Sequence, residues 1–361
     1  LCCRRKAIAA LATLPLSFAV GGISPKQNFG AELDRITDRS GMGLVIYDVG
    51  IQRKLLLRNA ADQDLFAPLN LLKYVHELGG GGIQASLGIL SLDEIRALND
   101  YAQAHELYIE AIVQLPNSPA AIDKFQAEMR TAAAVGALAA RTTIMPGRRY
   151  EQFKSWAEFK AAADHGRKML ESVATWLEKQ QVPLAVENHK DQRLDERLAL
   201  FEQLSSPAIR ACVDTGNSFA LLEDPYEIIS ALAPYASSVH LKDQALAPYA
   251  DGFLLGDIPL GQGAFDLPRM ISILRNAQPD IRFSLELITR DALRVPCLSE
   301  SYWATLANVP ATDLARSLRL VHENSTLGMQ QVSSLPEDQQ AQLERQNLVS
   351  SIQYARDVLH I

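Results

Sequence analysis

Val182-Pro-Leu-Ala-Val-Glu187-Asn188-His189-Lys190-Asp191 decides how the chain is read. A short apolar run opened by Pro183 passes directly into carboxylate, amide, imidazole and ammonium groups. That is the pattern of a buried parallel strand ending at the rim of a site. Three later stretches repeat it: Ile209-Arg-Ala-Cys-Val-Asp214-Thr-Gly-Asn217, Ser237-Ser-Val-His240-Leu-Lys242-Asp243 and Arg282-Phe-Ser-Leu-Glu286-Leu-Ile-Thr-Arg290. Four strand ends thus deliver Glu, Asp, His and Glu, a mixed oxygen and nitrogen set suited to a divalent metal.

Working outward, short apolar runs alternate with longer segments of helical periodicity, which predicts βα units around a parallel sheet. The runs fall at 43–49, 82–86, 108–115, 135–142, 184–189, 210–214, 237–242 and 283–288. Helical patterns occupy 64–78, 91–104, 118–131, 155–180, 194–204, 225–233 and 266–276, and Ser91-Leu-Asp-Glu94 has the spacing of a capping box. Eight strands with helices between them make a closed (β/α)8 TIM barrel over 41–310 the simplest α/β architecture, with a doubly wound sheet as the competing count. The polar, helical stretch 311–361 reads as the last helix plus a C-terminal helical extension on the barrel exterior.

The 361 residues carry ordinary apolar and charged fractions and a formal net charge of −7. No basic face suited to phosphate neutralisation is found, so small molecules are expected as partners and nucleic acid is not. The four cysteines, Cys2, Cys3, Cys212 and Cys297, lack CxxC spacing and suggest no disulfide framework; Cys212 reads as a small buried hydrophobe. Residues 1–24 run from Arg4-Arg5-Lys6 through an apolar, Ala-rich segment to small residues, the order of an export signal, and the paired arginines resemble a twin-arginine leader. A periplasmic or exported protein is therefore expected, with 25–40 as a linker and no stable membrane insertion of the mature chain. A frayed extension on a cytoplasmic enzyme is the other reading.

Alternation along a strand places Ala185, Glu187 and His189 on one side, as it does Cys212 with Asp214, Ser238 with His240 and Lys242, and Ser284 with Glu286. Small residues then lie low in the barrel and ligands lie above them. Each ligand alone has a simpler reading: a capping or ion-paired Glu, a satisfied core His, an Asp-Thr-Gly turn. Three carboxylates converging with an imidazole would repel without a cation, and the joint pattern on four strand ends favours the metal. His189, Lys190 and Arg193, just beyond Glu187, and Arg290, just beyond Glu286, could receive an anionic substrate group or serve as rim partners of Asp191 and Asp291. The glycine runs 79–82 and 261–263 lack any phosphate-binding pattern and read as loops that let backbone pass close to the mouth.

Glu187-Asn-His, Asp214-Thr-Gly-Asn, Val239-His240-Leu-Lys-Asp243 and Leu285-Glu286 together resemble the metal-site motifs of the xylose isomerase-like barrel superfamily, in its branch of sugar isomerases, ketose 3-epimerases and inosose dehydratase-like enzymes. The resemblance spans about residues 41–298. It implies that Glu187, Asp214, His240 and Glu286 bind a divalent ion, Mn2+ first, with Mg2+, Co2+ or Zn2+ as alternatives. It also implies that Glu187 and Glu286 act as a proton-transfer pair from strands five and eight, taken to face one another across the mouth. His189, Asn217, Lys242 and Arg290 are the expected substrate-binding residues. The sequence departs from the family where many relatives have His in place of Asn217, and where epimerases often carry Arg shortly after the metal His and this chain has Lys242-Asp243. The expectation is an isomerase or 3-epimerase acting through an enediolate on a keto-sugar or sugar acid. A lyase or decarboxylase using the same site, and a non-catalytic sugar-binding barrel, are the alternatives, and assembly into a homo-oligomer is left open.

Overall fold

A computed structural model describes residues 39–58, 64–145, 147–325 and 329–361, so the expected leader and nearly all of the linker lie outside the described residues. The strands are β1 (Gly43–Val45), β2 (Gly82–Ala85), β3 (Tyr108–Ile112), β4 (Ala140–Thr142), β5 (Leu184–Glu187), β6 (Ile209–Asp214), β7 (Ala236–Leu241), β8 (Asp243–Tyr249), β9 (Gly252–Ile258), β10 (Ser284–Leu285) and β11 (Leu293–Val295). Among them are the helices α1 (Gly50–Leu56), α2 (Pro68–Glu77), α3 (Leu92–Ala104), α4 (Ile122–Ala134), α5 (Arg149–Gln152), α6 (Trp156–Leu177), α7 (Leu194–Leu204), α8 (Pro225–Leu232), α9 (Leu267–Ala277), α10 (Ala311–Glu323) and α11 (Glu337–Asp357). Strands β1 to β7 and β10 form a closed parallel barrel. Closure is made where β10 pairs with β1, Gly43 opposite Ser284 and Leu44 opposite Leu285, which removes the doubly wound alternative.

All eight expected barrel strands are present, several of them shorter than the apolar runs. After Val45 the chain turns into a 3-10 helix over Ile46–Val49, tied by Val45 N–H donating to Asp48 Oδ2 at 3.2 Å. Val135 and Gly136 end α4 rather than open β4, with Gly136 at φ +67°, a left-handed conformation that glycine adopts without strain. The expected capping box forms at α3: Ser91 N–H donates to Glu94 Oε2 at 2.8 Å and Glu94 N–H to Ser91 Oγ at 3.3 Å.

The outward faces of the strands pack Leu184, Val186, Val213, Val239 and Leu241 into the main core under the helices. The inward faces are lean. Ala139, Ala185 and Cys212 form a separate small buried cluster, which places small residues beneath the functional groups as alternation predicts. An antiparallel hairpin, β8 with β9, leaves the barrel after β7 and adds β11 at its edge. No strand is expected there from the sequence: the run 237–242 stops at Lys242, the one residue between the end of β7 and the start of β8.

Helix α10 lies on the hairpin, and Leu246 bridges to Ser325 just beyond it. Helix α11 packs on α1 and buries Leu348, Ile352 and Ala355. Its buried Glu344 caps α1, accepting from Ile51 N–H at 3.0 Å and Gln52 N–H at 2.8 Å. Replacing Glu344 by Ala strands two donors at a helix start and should cost about 1–2 kcal/mol of stability. Urea unfolding of the variant measures this, and a change below about 0.5 kcal/mol would show that water replaces the cap.

Candidate metal centre

Register sets the heights of the functional groups. Asp214 on β6 pairs with His240 on β7, and His240 pairs with Ser284 on β10, two residues before Glu286. Glu187 on β5 pairs with Cys212, two residues before Asp214. The barrel's stagger brings all four groups together: one ligand atom from each of Glu187, Asp214, His240 and Glu286 lies within 4.8 Å of every other, and all four residues are buried. His240 Nδ1 is 3.2 Å from Glu286 Oε2, 3.7 Å from Asp214 Oδ2 and 3.9 Å from Glu187 Oε1.

Neighbouring motif residues hold these groups in place. Asn188 bridges to the end of β6, accepting from Asp214 N–H at 2.7 Å and donating to Asp214 O at 2.9 Å. The Asp-Thr-Gly-Asn turn satisfies Asp214 Oδ1, which accepts from Gly216 N–H at 2.9 Å and Asn217 N–H at 2.7 Å. That leaves Asp214 Oδ2 facing the centre. Asp214 Oδ2, His240 Nδ1 and Glu286 Oε2 are buried without a hydrogen-bond partner among the described residues. Buried acceptors that lack donors and face one another fit a cation, and the two carboxylates with one imidazole could hold a divalent ion.

The electrostatics agree. Burial pushes the Glu187 carboxyl up, but Arg141 and then His240 pull it down to about 2. Glu286 is likewise held well below the usual carboxylate range against its burial, by Lys242 and then His240. Lys242 Nζ lies 2.7 Å from Glu286 Oε2 and 3.1 Å from Asp214 Oδ2, an ion pair without hydrogen-bond alignment. Three carboxylates against Arg141 and Lys242 leave one negative charge when the imidazole is neutral, so a divalent ion would make the centre attractive to an anion.

The remaining expected residues divide. Asn217 donates from Nδ2 to Glu187 Oε1 at 2.8 Å, while its Oδ1 accepts from Lys242 Nζ at 3.2 Å and also from Lys190 Nζ. His189 is close enough to feel Glu187, Lys190 and Lys242; burial first, then the two lysines, lowers its imidazole to about 4 and keeps it neutral. Arg290 pairs with Asp257 of the hairpin at 3.3 Å, beside this group. Arg193 turns outward and binds Leu221 O and, at 2.7 Å, Asp313, so it has no part in the centre. The rim pairing considered for Asp191 and Asp291 is also absent: Asp191 pairs with Arg197 at 2.7 Å, and Asp291 accepts from Ser333.

Two groups were not anticipated. Arg141 on β4 donates from Nε to Glu187 Oε2 at 2.5 Å and adds a second contact through its terminal nitrogen. Gln84 on β2 meets His240 Nε2 at 2.7 Å. Within their runs both resemble interruptions of an apolar strand, and only inward parity could have marked them. Strands five and eight are three places apart around the ring, in the order β5, β6, β7, β10, so they flank the centre rather than face each other. Next to Arg141, a cleft of about 650 Å3 lined by Tyr47, Ile112, Ile144 and His165 opens above β1 to β4.

The profile of the xylose isomerase-like TIM barrel family matches residues 72–316. The chain belongs to that family. It is 28% identical over 151 residues to 3-oxo-isoapionate decarboxylase of Pectobacterium atrosepticum, a match covering 41% of this chain and 55% of that protein, so the chain spans about half the length of this curated relative. Among solved structures, the probable 3-DHS dehydratase AsbF of Bacillus anthracis superposes with a TM-score of 0.52 at 16% identity, covering 74% of this chain and 99% of that one. Mannonate dehydratase from Streptococcus suis superposes with a TM-score of 0.51 at 13% identity, covering 81% and 97%. These two share the barrel fold. Asp214→Ala should abolish stoichiometric binding of a divalent ion, read by elemental analysis after dialysis, and full occupancy in that variant would remove Asp214 from the centre.

Proposed function

We propose that this family member is a divalent-metal enzyme acting on an oxidised sugar, a keto-sugar acid, by way of an enediolate. One observation carries the reading: beside the metal-type cluster, the buried ammonium groups of Lys190 and Lys242 converge on a single amide oxygen, Asn217 Oδ1. Lys242 is also ion-paired with Glu286 and Asp214, but Lys190 has no carboxylate at ion-pair distance among the described residues, and an anionic substrate end is its natural partner. Arg290 at the hairpin adds a further positive charge to the same wall.

A divalent ion held by the four residues would polarise a substrate carbonyl and stabilise the charge that builds on its oxygen. Asp214 and His240 do the holding, since their partners fix them and leave one atom each for the centre. Glu286 is the proton carrier: its Oε2 has no aligned hydrogen bond, only the ion pair with Lys242 at 2.7 Å, and it faces the centre. Glu187 differs: Arg141 occupies Oε2 and Asn217 Nδ2 occupies Oε1. The two glutamates are therefore unequal as bases, which favours one-sided chemistry over epimerisation. In a decarboxylation the C–C bond to CO2 breaks, its electron pair enters the enediolate, and Glu286 in its acid form delivers the proton that the carbon takes up. In an elimination Glu286 first removes the α-proton, and the electron pair of the resulting enediolate expels the leaving group, which departs with the pair of its broken bond. The partial match to a named decarboxylase supports that reading. A 3-epimerase would use both glutamates and needs Arg141 to release Glu187. Export of the chain, read from residues 1–24 alone, suits a substrate without phosphate.

Incubation with Mn2+ and a panel of keto-sugars and keto-aldonates in D2O, followed by NMR, tests this. Release of CO2 or a leaving group with one deuterium incorporated supports it. Exchange with the carbon skeleton intact selects the epimerase, and inertness toward the whole panel defeats the enzymatic reading. Lys190 supplies a pH signature. Burial and then the neighbouring Lys242 charge lower its ammonium to about 8, so it is cationic below that pH and neutral above it. KM for an acid substrate should therefore rise as pH passes upward through about 8, and Lys190→Met should raise KM and remove the inflection. An unchanged profile would take Lys190 out of substrate binding.

A further inference from the structure

We infer that Glu110 and Ser238, which touch neither the centre nor its cleft, are positioning residues that lock the Gln84 amide and thereby keep the imidazole proton of His240 on Nε2, leaving Nδ1 for the metal. The inference rests on the metal reading of the cluster. Gln84 on β2, Glu110 on β3, and Ser238 and His240 on β7 are all buried inside the barrel. Gln84 and Glu110 are register partners on adjacent strands, and Ser238 stands two residues below His240 on the same face.

The donor count fixes the orientation of the amide. Glu110 Oε2 accepts twice, from Gln84 Nε2 at 2.8 Å and from Ser238 Oγ at 2.6 Å. Ser238 has one proton, directed at Glu110, so its oxygen is left to accept the second Gln84 N–H, at 3.1 Å. Both N–H groups of the Gln84 amide are then engaged, and its oxygen must be the atom 2.7 Å from His240 Nε2. An amide oxygen only accepts, so Nε2 carries the imidazole proton. In the neutral imidazole Nδ1 then presents its lone pair toward Asp214, Glu187 and Glu286. Without Glu110 the amide has no reason to prefer this orientation over its flip, and the flipped amide would place N–H groups against Nε2 and drive the proton to Nδ1, where it blocks coordination.

The test is Glu110→Gln, whose own amide can donate toward Gln84 and so release the flip. Its dissociation constant for Mn2+, from titration calorimetry on the full chain, should rise about ten- to a hundredfold, the range typical of a lost outer partner of a metal-binding imidazole. The melting temperature of the metal-free protein is measured alongside to follow packing. The reciprocal exchange, Gln84→Glu with Glu110→Gln, puts an acceptor-only carboxylate against Nε2 and a donor behind it, and should recover most of the affinity. A purely structural role for Glu110 would not be rescued by swapping the two positions. Wild-type affinity in Glu110→Gln overturns the lock, as does a loss that the exchange variant fails to restore. If Glu110→Gln does not fold, the exchange variant and Ser238→Ala decide: near-wild-type and severalfold weaker binding respectively support the lock, and the reverse order overturns it. A wild-type protein that binds no divalent ion would defeat the metal reading itself.

Discussion

Three carboxylates held with an imidazole inside 4.8 Å, all buried, are the constraint to which the rest of the barrel mouth answers. An ion moved into a protein interior costs several kcal/mol even after relaxation, and like charges at this range add to the cost. The surrounding residues can be understood as compensation. Arg141 enters from β4, Lys242 from beyond β7, and the Asp-Thr-Gly-Asn turn donates backbone N–H groups to one oxygen of Asp214. Asp48 shows the alternative outcome. Burial and then the Glu286 charge push its carboxyl well up, and it serves as an acceptor for Leu287 N–H and Val45 N–H rather than joining the cluster. Where counter-charges reach, a carboxylate stays ionised and available; where they do not, it becomes a structural acceptor.

The same constraint explains what could be read from the chain. Glu187, Asp214, His240 and Glu286 were legible because each ends an apolar run and shares parity with a small residue two positions earlier, and that alternation survives folding. The barrel followed from the same runs, although β10 keeps only two paired residues. Gln84, Glu110 and Arg141 were opaque, since a polar residue inside a strand looks alike whether it faces a core, a metal or a partner. Arg193 was placed at the mouth because it follows Glu187 closely, but the chain turns into α7 there and carries it outward to Asp313. Nearness in sequence fails as a guide once a strand gives way to a loop, because period-two parity no longer applies.

Lys242 and Asp243 show how one strand end serves two tasks. Alternation sends Lys242 inward to Glu286 and Asp214, and Asp243 to the opposite side. There Asp243 collects four backbone donors: Gln244 N–H and Phe265 N–H on Oδ1, Gly261 N–H and Gly263 N–H on Oδ2. Glycine is required in this knot, since Gly261 sits at φ +82° and a Cβ on Gly263 would fall 2.0 Å from Asp243 Oδ1. The stretch 261–263, expected as a loop whose backbone passes close to the mouth, instead packs its backbone against Asp243 on the side away from the centre. The knot fastens the base of the β8–β9 hairpin to the loop leading into α9.

Fastened in this way, the hairpin presents Asp257, which accepts from Gln244 Nε2 at 2.8 Å and pairs with Arg290 at 3.3 Å. Asp257 also helps hold Lys242 charged against the burial that opposes it. The metal-type cluster is therefore built wholly from barrel strand ends, whereas the cationic wall beside it combines Lys190 and Lys242 from those ends with Arg290, whose partner Asp257 lies in the insertion after β7. Asp257 and its partner Arg290 can change without moving Asp214 or His240, whereas Lys190, Asn217 and Lys242 directly follow β5, β6 and β7 and are coupled to the centre. The Asp257–Arg290 side of the mouth thus rests on a segment that closure of the sheet does not need, which is where variation is cheapest for the fold.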